Sequence, residues 1–476
     1  MLGIKEQFIA AAIIFALAAT NQCSAGDALA SAENAYLTGD YYSAFKFYQM
    51  IEPAELPSAI ALYNAGLAAL LSGDTAAASI LWRNSAGLDP RKPWPNFQLA
   101  QLAFRQNRLG EALEFIDAAL AQDDKIADFL ICKAELLLAL NRLDEARLVA
   151  DEALELDAVS SAVLAACASV YNACGRSGEA LNLIDRGLER FPDSRLLLSG
   201  KSIATQSGDS SRVNDYIKLY QQYYTTETGT LPDIAPATQP VPPGSLFSTG
   251  LRYVYRGSWG PFNLGMLVIE VEKPVIKDGM LLQLVTYRIK SNPVLLIIKV
   301  NDVYRSWLDV NLDRTFFFEV DVTETWWQYR RLSEFHHDSL RLIQRGVEKD
   351  GIIRFINQAL PNNLLDGTSI LQHARKLVRN KIGGRVATLI DYDFVWTDVE
   401  FSYKVVPLEA AGKVWDSYRV GGKAGYTGVA GLSGDFEGWF SADSEAIPLK
   451  ARFKIFIGSI YLTLDHIEQL SADGDK

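Results

Sequence analysis

Histidine and cysteine are scarce in this chain, four of each in 476 residues, and their placement narrows the chemistry open to it. Of His336, His337, His373 and His466, the adjacent pair would point to opposite faces of a strand and so cannot hold one metal together. Cys132, Cys167 and Cys174 form an odd set behind Cys23. Cys167 and Cys174 are seven apart, about 10 Å along a helix, beyond the roughly 7 Å Cα reach of a disulfide, so all three read as small buried side chains. Positive charge is not in excess: 46 Lys and Arg against 57 Asp and Glu give a net charge of -11, and nucleic acid is not an expected partner. No phosphate-binding glycine loop and no Gly-x-Ser-x-Gly elbow occurs. Asp391 and Asp393 alternate with Ile390, Tyr392 and Phe394, the pattern of a solvated strand face rather than of an acid and base pair. These absences lead us to expect a protein that is not an enzyme and carries no cofactor or metal.

Long apolar runs are also missing. The longest near the start, residues 8–19, would span only about 18 Å as a helix against a bilayer core of roughly 30 Å, so no transmembrane span is expected in the mature chain. Behind Lys5 and ahead of Asn21-Gln22 and Ser24-Ala25, the run has the layout of a secretory signal peptide over residues 1–25, with cleavage between Ala18 and Gly26. Thr20-Asn21-Gln22 lacks the small and branched residues that precede a lipidated cysteine, so a lipid anchor at Cys23 is not expected. What remains, 49% hydrophobic and 22% charged, suffices for two to four ordinary globular domains.

A period of 34 organises residues 26–224. Turn residues recur at Gly39, Gly73, Asn107, Asn141 and Gly175; an alanine follows each by five, at Ala44, Ala78, Ala112, Ala146 and Ala180; a small residue precedes each by seven, at Ala32, Gly66, Ala100, Ala134 and Ala168. Small side chains are needed where two helix backbones cross, so the columns predict paired helices, with Pro90 and Pro192 ending a helix at one shared position. The pattern resembles the tetratricopeptide repeat (TPR) family, with five to six units and a capping helix through Tyr216 to Tyr224. That resemblance implies an all-α superhelix, an α-solenoid whose inner groove grips a protein or peptide. The family's groove positions fall here on Tyr36, Ile60, Tyr63, Leu67, Trp94, Phe97, Phe104 and Ile131, an apolar lining; arrays that clamp a chain-end carboxylate carry Lys and Arg at such positions, and here only Arg105 fits, so capture of a chain end by charge is not expected. Rings at these positions can equally fill the space between units or pack on the second half of the chain.

Residues 225–245 hold five prolines and no basic residue, a semi-rigid linker. The charge changes across it, from 17 basic and 26 acidic residues over 27–224 to 28 of each over 246–476. Hydrophobicity over 246–470 has period two, as in Leu251, Tyr253 and Tyr255 or Leu267, Ile269 and Val271, predicting ten to twelve mostly antiparallel strands. A helix over 368–379 follows Asp366, a residue type suited to a cap, and interrupts them to cover the concave face of a curved sheet or half-barrel. Three stretches, LRYVYRGSWGPFNLG (251–265), DGTSILQHARKLVR (366–379) and EGWFSADSEAIPLKARFKIFIGSIYLTL (437–464), resemble the bacterial domain-of-unknown-function family 3108. That resemblance implies an exported, strand-rich domain without established activity.

The fold expected is therefore two-domain, α then β. Asp366, Arg375 and Asp443 read as structural polar residues, the first two as a helix cap or ion pair. The function expected is a periplasmic TPR scaffold that binds a protein or peptide in cell-envelope processes. The alternative is a periplasmic carrier holding a lipid or other apolar ligand in a half-barrel lined by Trp259, Phe262, Trp307, Trp326 and Trp439.

Overall fold

The computed structural model describes residues 25–51, 58–225, 248–292, 299–310, 314–326, 328–424, 434–454 and 458–470; the leader segment and nearly all of the proline-rich linker lie outside them. The chain divides into two compact units, Met1–Asp124 and Lys125–Lys476, so the division falls inside the helical repeats.

The first unit contains three helix pairs: α1 (Ala25–Leu37) with α2 (Tyr41–Met50), α3 (Ala59–Leu71) with α4 (Thr75–Leu88), and α5 (Trp94–Arg105) with α6 (Leu109–Leu120). The turn column is conformational in origin. Gly39, Gly73 and Asn107 all have positive φ, a region that glycine and asparagine enter most readily, and Asp40 and Asp74 then accept from Ser43 N and Ala77 N to start the second helix. The small-residue columns are buried at the crossings, and Gly66 shows why. A Cβ there would lie 2.5 Å from the indole of Trp82, which is fully buried and donates from Nε1 to the Tyr63 carbonyl at 3.1 Å.

The second unit continues the pairs, with α7 (Ala127–Ala139) and α8 (Leu143–Leu156), α9 (Ser161–Ala173) and α10 (Ser177–Arg190), α11 (Ser194–Ser207) and α12 (Ser210–Tyr224). Asn141, Gly175 and Gly208 keep the positive φ of the turn column. The segment expected as a capping helix, Tyr216 to Tyr224, is the latter half of α12, the second helix of a complete sixth pair. Cys132 and Cys167 are buried and Cys174 half-buried, and all three are free thiols; burial pushes those of Cys132 and Cys167 up to about 12.

Beyond the linker the described residues hold sixteen strands, more than the sequence suggested, because hairpins with short connections merge in the hydrophobicity profile. They are β1 (Leu251–Trp259), β2 (Phe262–Val271), β3 (Val275–Lys277), β4 (Met280–Ser291), β5 (Val300–Asp309), β6 (Thr315–Glu324), β7 (Gln328–His336), β8 (Arg341–Val347), β9 (Ile353–Ala359), β10 (Leu365–Asp366), β11 (Gly384–Ile390), β12 (Asp393–Ala410), β13 (Lys413–Ala424), β14 (Asp435–Ser441), β15 (Pro448–Lys454) and β16 (Ser459–Gln469). They join in one open sheet in the order β10-β11-β12-β13-β14-β15-β16-β1-β2-β4-β5-β6-β7-β8-β9, with β3 on β4. Every pairing is antiparallel except β10 with β11.

Among the described residues one helix, α13 (Ile370–Arg379), interrupts the strands, as the sequence indicated. Its Ala374, Leu377 and Val378 pack against Tyr253, Tyr255, Ile269, Val285 and Tyr287 on one side and Val399, Val420, Phe440 and Leu464 on the other, so the sheet curls around it. The curl continues until Phe335 and Leu342 of β7 and β8 cover Leu389 and Phe394 of β11 and β12. Phe394 lies on the face of β12 opposite to Val399, so one flank of the sheet overlaps the back of the other.

Candidate functional site

The residues that sequence assigned to a binding groove separate by burial. In the first unit Tyr36, Tyr63, Leu67 and Phe97 are buried and unavailable to a partner, which corrects their assignment to an open lining. They fill the contacts between helices. Gln98 Nε2, in the next repeat, donates to Tyr63 Oη at 3.3 Å, and the Tyr36 ring lies 5.9 Å from that of Tyr41. Ile60, Trp94 and Phe104 are half-buried and Arg105 is exposed. Trp94 stands edge-on to Phe97, centroids 6.1 Å apart, so a buried ring supports the one that reaches solvent. Ile131, in the second unit, is half-buried.

In the sheet, Asp366 is fully buried at the entry to α13. Its Oδ1 accepts from Ser306 Oγ at 2.9 Å, Thr368 N at 2.9 Å, Thr368 Oγ1 at 2.7 Å and Ser369 N at 3.0 Å, and its Oδ2 from Thr315 Oγ1 at 2.8 Å. Asp366 thereby ties the helix start to β5 and β6; the N-cap position itself is Ser369, so the cap expected at Asp366 is instead a turn in which its carboxylate accepts from the amides of Thr368 and Ser369. Arg375 is buried on the helix itself. Its Nη1 donates to Gln372 Oε1 at 2.9 Å, its Nη2 to the Glu445 carbonyl at 3.0 Å, and its guanidinium lies 5.8 Å from the Tyr253 ring centre. Asp443 closes the turn after β14, accepting from Ser441 Oγ, Glu445 N and Ala446 N. These bonds tie α13 to β5, β6 and the turn after β14.

The five aromatics proposed to line an apolar cavity do not converge. Trp307 alternates with Ser306 and Leu308, which face Asp366 and the core around α13, so period two turns its indole to the outer face, under Lys277 Nζ at 4.7 Å. Trp439 likewise lies opposite Arg419 and Lys450 on the outer face, between Gly438 and Phe440, which face inward. Trp259, Phe262 and Trp326 are 38%, 46% and 61% exposed at hairpin ends. A cleft of about 1110 Å³ near β11 to β16 is walled by Arg385, Asp398, Arg419, Glu437 and Arg452, largely in ion pairs, and is unsuited to an acyl chain. Asp391 sits in the β11–β12 turn at φ 53°, exposed, with its carboxylate 3.1 Å from Arg331 Nη1, rather than on a strand face with Asp393. His337 donates from Nε2 to the Thr315 carbonyl at 2.7 Å, and burial holds its pKa down to about 4. Among the described residues no three His, Cys, Asp or Glu side chains gather where a metal ion could be held.

Sequence reading missed how the last repeats meet the sheet within the second unit. Phe191, which precedes Pro192 between α10 and α11, is buried against Phe394 and Trp396 at centroid distances of 5.6 and 5.0 Å. Tyr223 of α12 meets Trp396 at 5.8 Å, and Asn362 N donates to the Tyr223 carbonyl at 2.8 Å. The sheet therefore docks on an inter-repeat loop and the end of α12. Phe191 beside the repeat's proline was the available signal, but a ring there packs equally well within an array.

No family model matches this chain, and no curated protein matches it. Among solved structures it is similar to a tetratricopeptide repeat protein from Parabacteroides merdae (18% identity, TM-score 0.38, covering 41% of this chain and 78% of that one). It is also similar to the pilF protein of Pseudomonas aeruginosa (15%, TM-score 0.36, 41% and 90%) and to a thermophilic TPR protein of Thermus thermophilus (21%, TM-score 0.32, 38% and 100%). The TPR-like fold of the first half rests on the chain's own columns: six helix pairs, a positive-φ turn in each, and buried small residues at each crossing.

Proposed function

We propose that this chain is an exported, non-enzymatic scaffold whose TPR-like helices bind a protein or peptide, with a role in the bacterial cell envelope. The observation that carries the reading is the solvent-facing set Ile60, Trp94, Phe104 and Arg105 on the first helices of the repeats in the first unit. Trp94, backed by the buried Phe97, with Phe104 and Ile60 partly exposed and Arg105 exposed, makes the kind of surface that grips an extended chain. The leader-like segment at residues 1–25 supports export to the periplasm, and the three stretches quoted above support kinship of the sheet with family 3108.

The test uses the full chain, immobilised and exposed to envelope extract after chemical cross-linking. Trp94→Ala should release the retained partner while leaving the melting temperature unchanged. A variant that still retains the partner, or that melts several degrees lower, would assign Trp94 to packing and overturn the reading.

A further inference from the structure

Three of the five aromatics expected in a cavity, Trp259, Phe262 and Trp326, share one end of the sheet. In the register Trp259 lies opposite Phe262 and Ile460, Lys454 opposite Ser459, Lys290 opposite Asn301, and Val300 opposite Glu324. The described ends of β15, β16, β1, β2, β4, β5, β6 and β7 at these residues therefore lie along the same rim of adjacent strands. Described atoms tie neighbouring turns together. The Trp259 indole lies over Gly458, within 3.4 Å of where a Cβ would stand, and Lys299 N donates to Thr325 Oγ1 at 2.5 Å. Trp259 and Phe262 lean together at 6.0 Å, and Trp326 is the most exposed of the three aromatics. Lys290, Lys299 and Lys454 are exposed along the same rim, against the half-buried Glu324.

We infer that this rim contacts the surface of an anionic lipid bilayer without spanning it. Tryptophan at strand ends suits the headgroup boundary, where its apolar ring body and polar N–H are both accommodated, and Phe262 adds apolar area beside it. Three lysines among them, Lys290, Lys299 and Lys454, complement the anionic headgroups of such a surface. The rim from β15 to β7 runs across eight neighbouring strands, roughly 34 Å measured along the curved sheet at about 4.8 Å per strand, so the rings and lysines act as several contact points along one edge.

Flotation of the purified full chain with phosphatidylcholine vesicles, with and without phosphatidylglycerol, tests the inference. The wild type should float with the mixed vesicles and lose binding as salt rises. A W259S/F262S/W326S variant and a K290E/K299E/K454E variant should each bind about tenfold less or worse, with circular dichroism unchanged. The charge variant leaves apolar packing intact, so it stays informative if the first misfolds. Absence of wild-type flotation, equal binding by a folded variant, one lipid molecule extracted per chain without vesicle binding, or self-association abolished by the aromatic variant would each overturn it. Trp94→Ala should float normally, which separates this site from partner binding.

Discussion

Removing the Asp366 carboxyl should loosen the start of α13 selectively, and the size of the effect follows from who loses a partner. Five donors converge on it, four of them on Oδ1. The hydroxyls have a fallback: Ser306 and Thr368 are 2.6 Å apart, and Thr315 and Ser369 3.4 Å. The backbone amides of Thr368 and Ser369 have none from this residue, and a buried donor left without an acceptor costs about 1–3 kcal/mol. Asp366→Ala should therefore cost about 2–6 kcal/mol, whereas Asp366→Asn keeps Oδ1 and should cost only about 1 kcal/mol. A chain of this size need not unfold in one step, so the readout is hydrogen exchange of the α13 amides rather than a global midpoint. Alanine should accelerate exchange between about thirtyfold and about 20,000-fold and asparagine by less than about tenfold. Unchanged exchange in the alanine variant, or equal acceleration in both, would refute the assignment of Asp366 as an anchor.

Two further outcomes follow. Burial pushes Asp302 up to about 6, with Glu324 and Asp321 adding to it, so between about pH 4 and 6 the folded state binds more protons than the unfolded and stability falls as pH rises; Asp302→Asn should stabilise the sheet by about 2–3 kcal/mol at pH 7.5 and hardly at pH 4. His337, lowered to about 4, works in the opposite sense, losing its contribution as pH falls from about 6.5, so unfolding of the sheet followed across pH in the Asn variant should lose the Asp302 slope and keep the one that His337 contributes. Phe191→Ala should cost about 3–5 kcal/mol and expose the β11–β12 region to limited proteolysis, and an unchanged cleavage pattern would sink the assigned docking contact.

The sequence by itself determined the repeat. A turn needing positive φ admits glycine or asparagine, and a helix crossing admits alanine or glycine; both constraints act locally every 34 residues, so Gly39, Asn107 and Gly66 announce their structural roles. It likewise determined the helix inside the sheet and the polar residues that hold it, because Asp366 lies within four residues of three of the five donors it receives. Tertiary structure alone decided which rings are sealed. Tyr63 and Trp94 are alike in sequence as groove candidates, yet their burial is set by Gln98 and Phe97 of the third pair. The same holds for the tryptophans of the sheet. Period two states that Trp307 and Leu308 face opposite ways, but only the position of α13 and the roll of the sheet say which way is inward, since alternation carries no sign until a second layer covers one face.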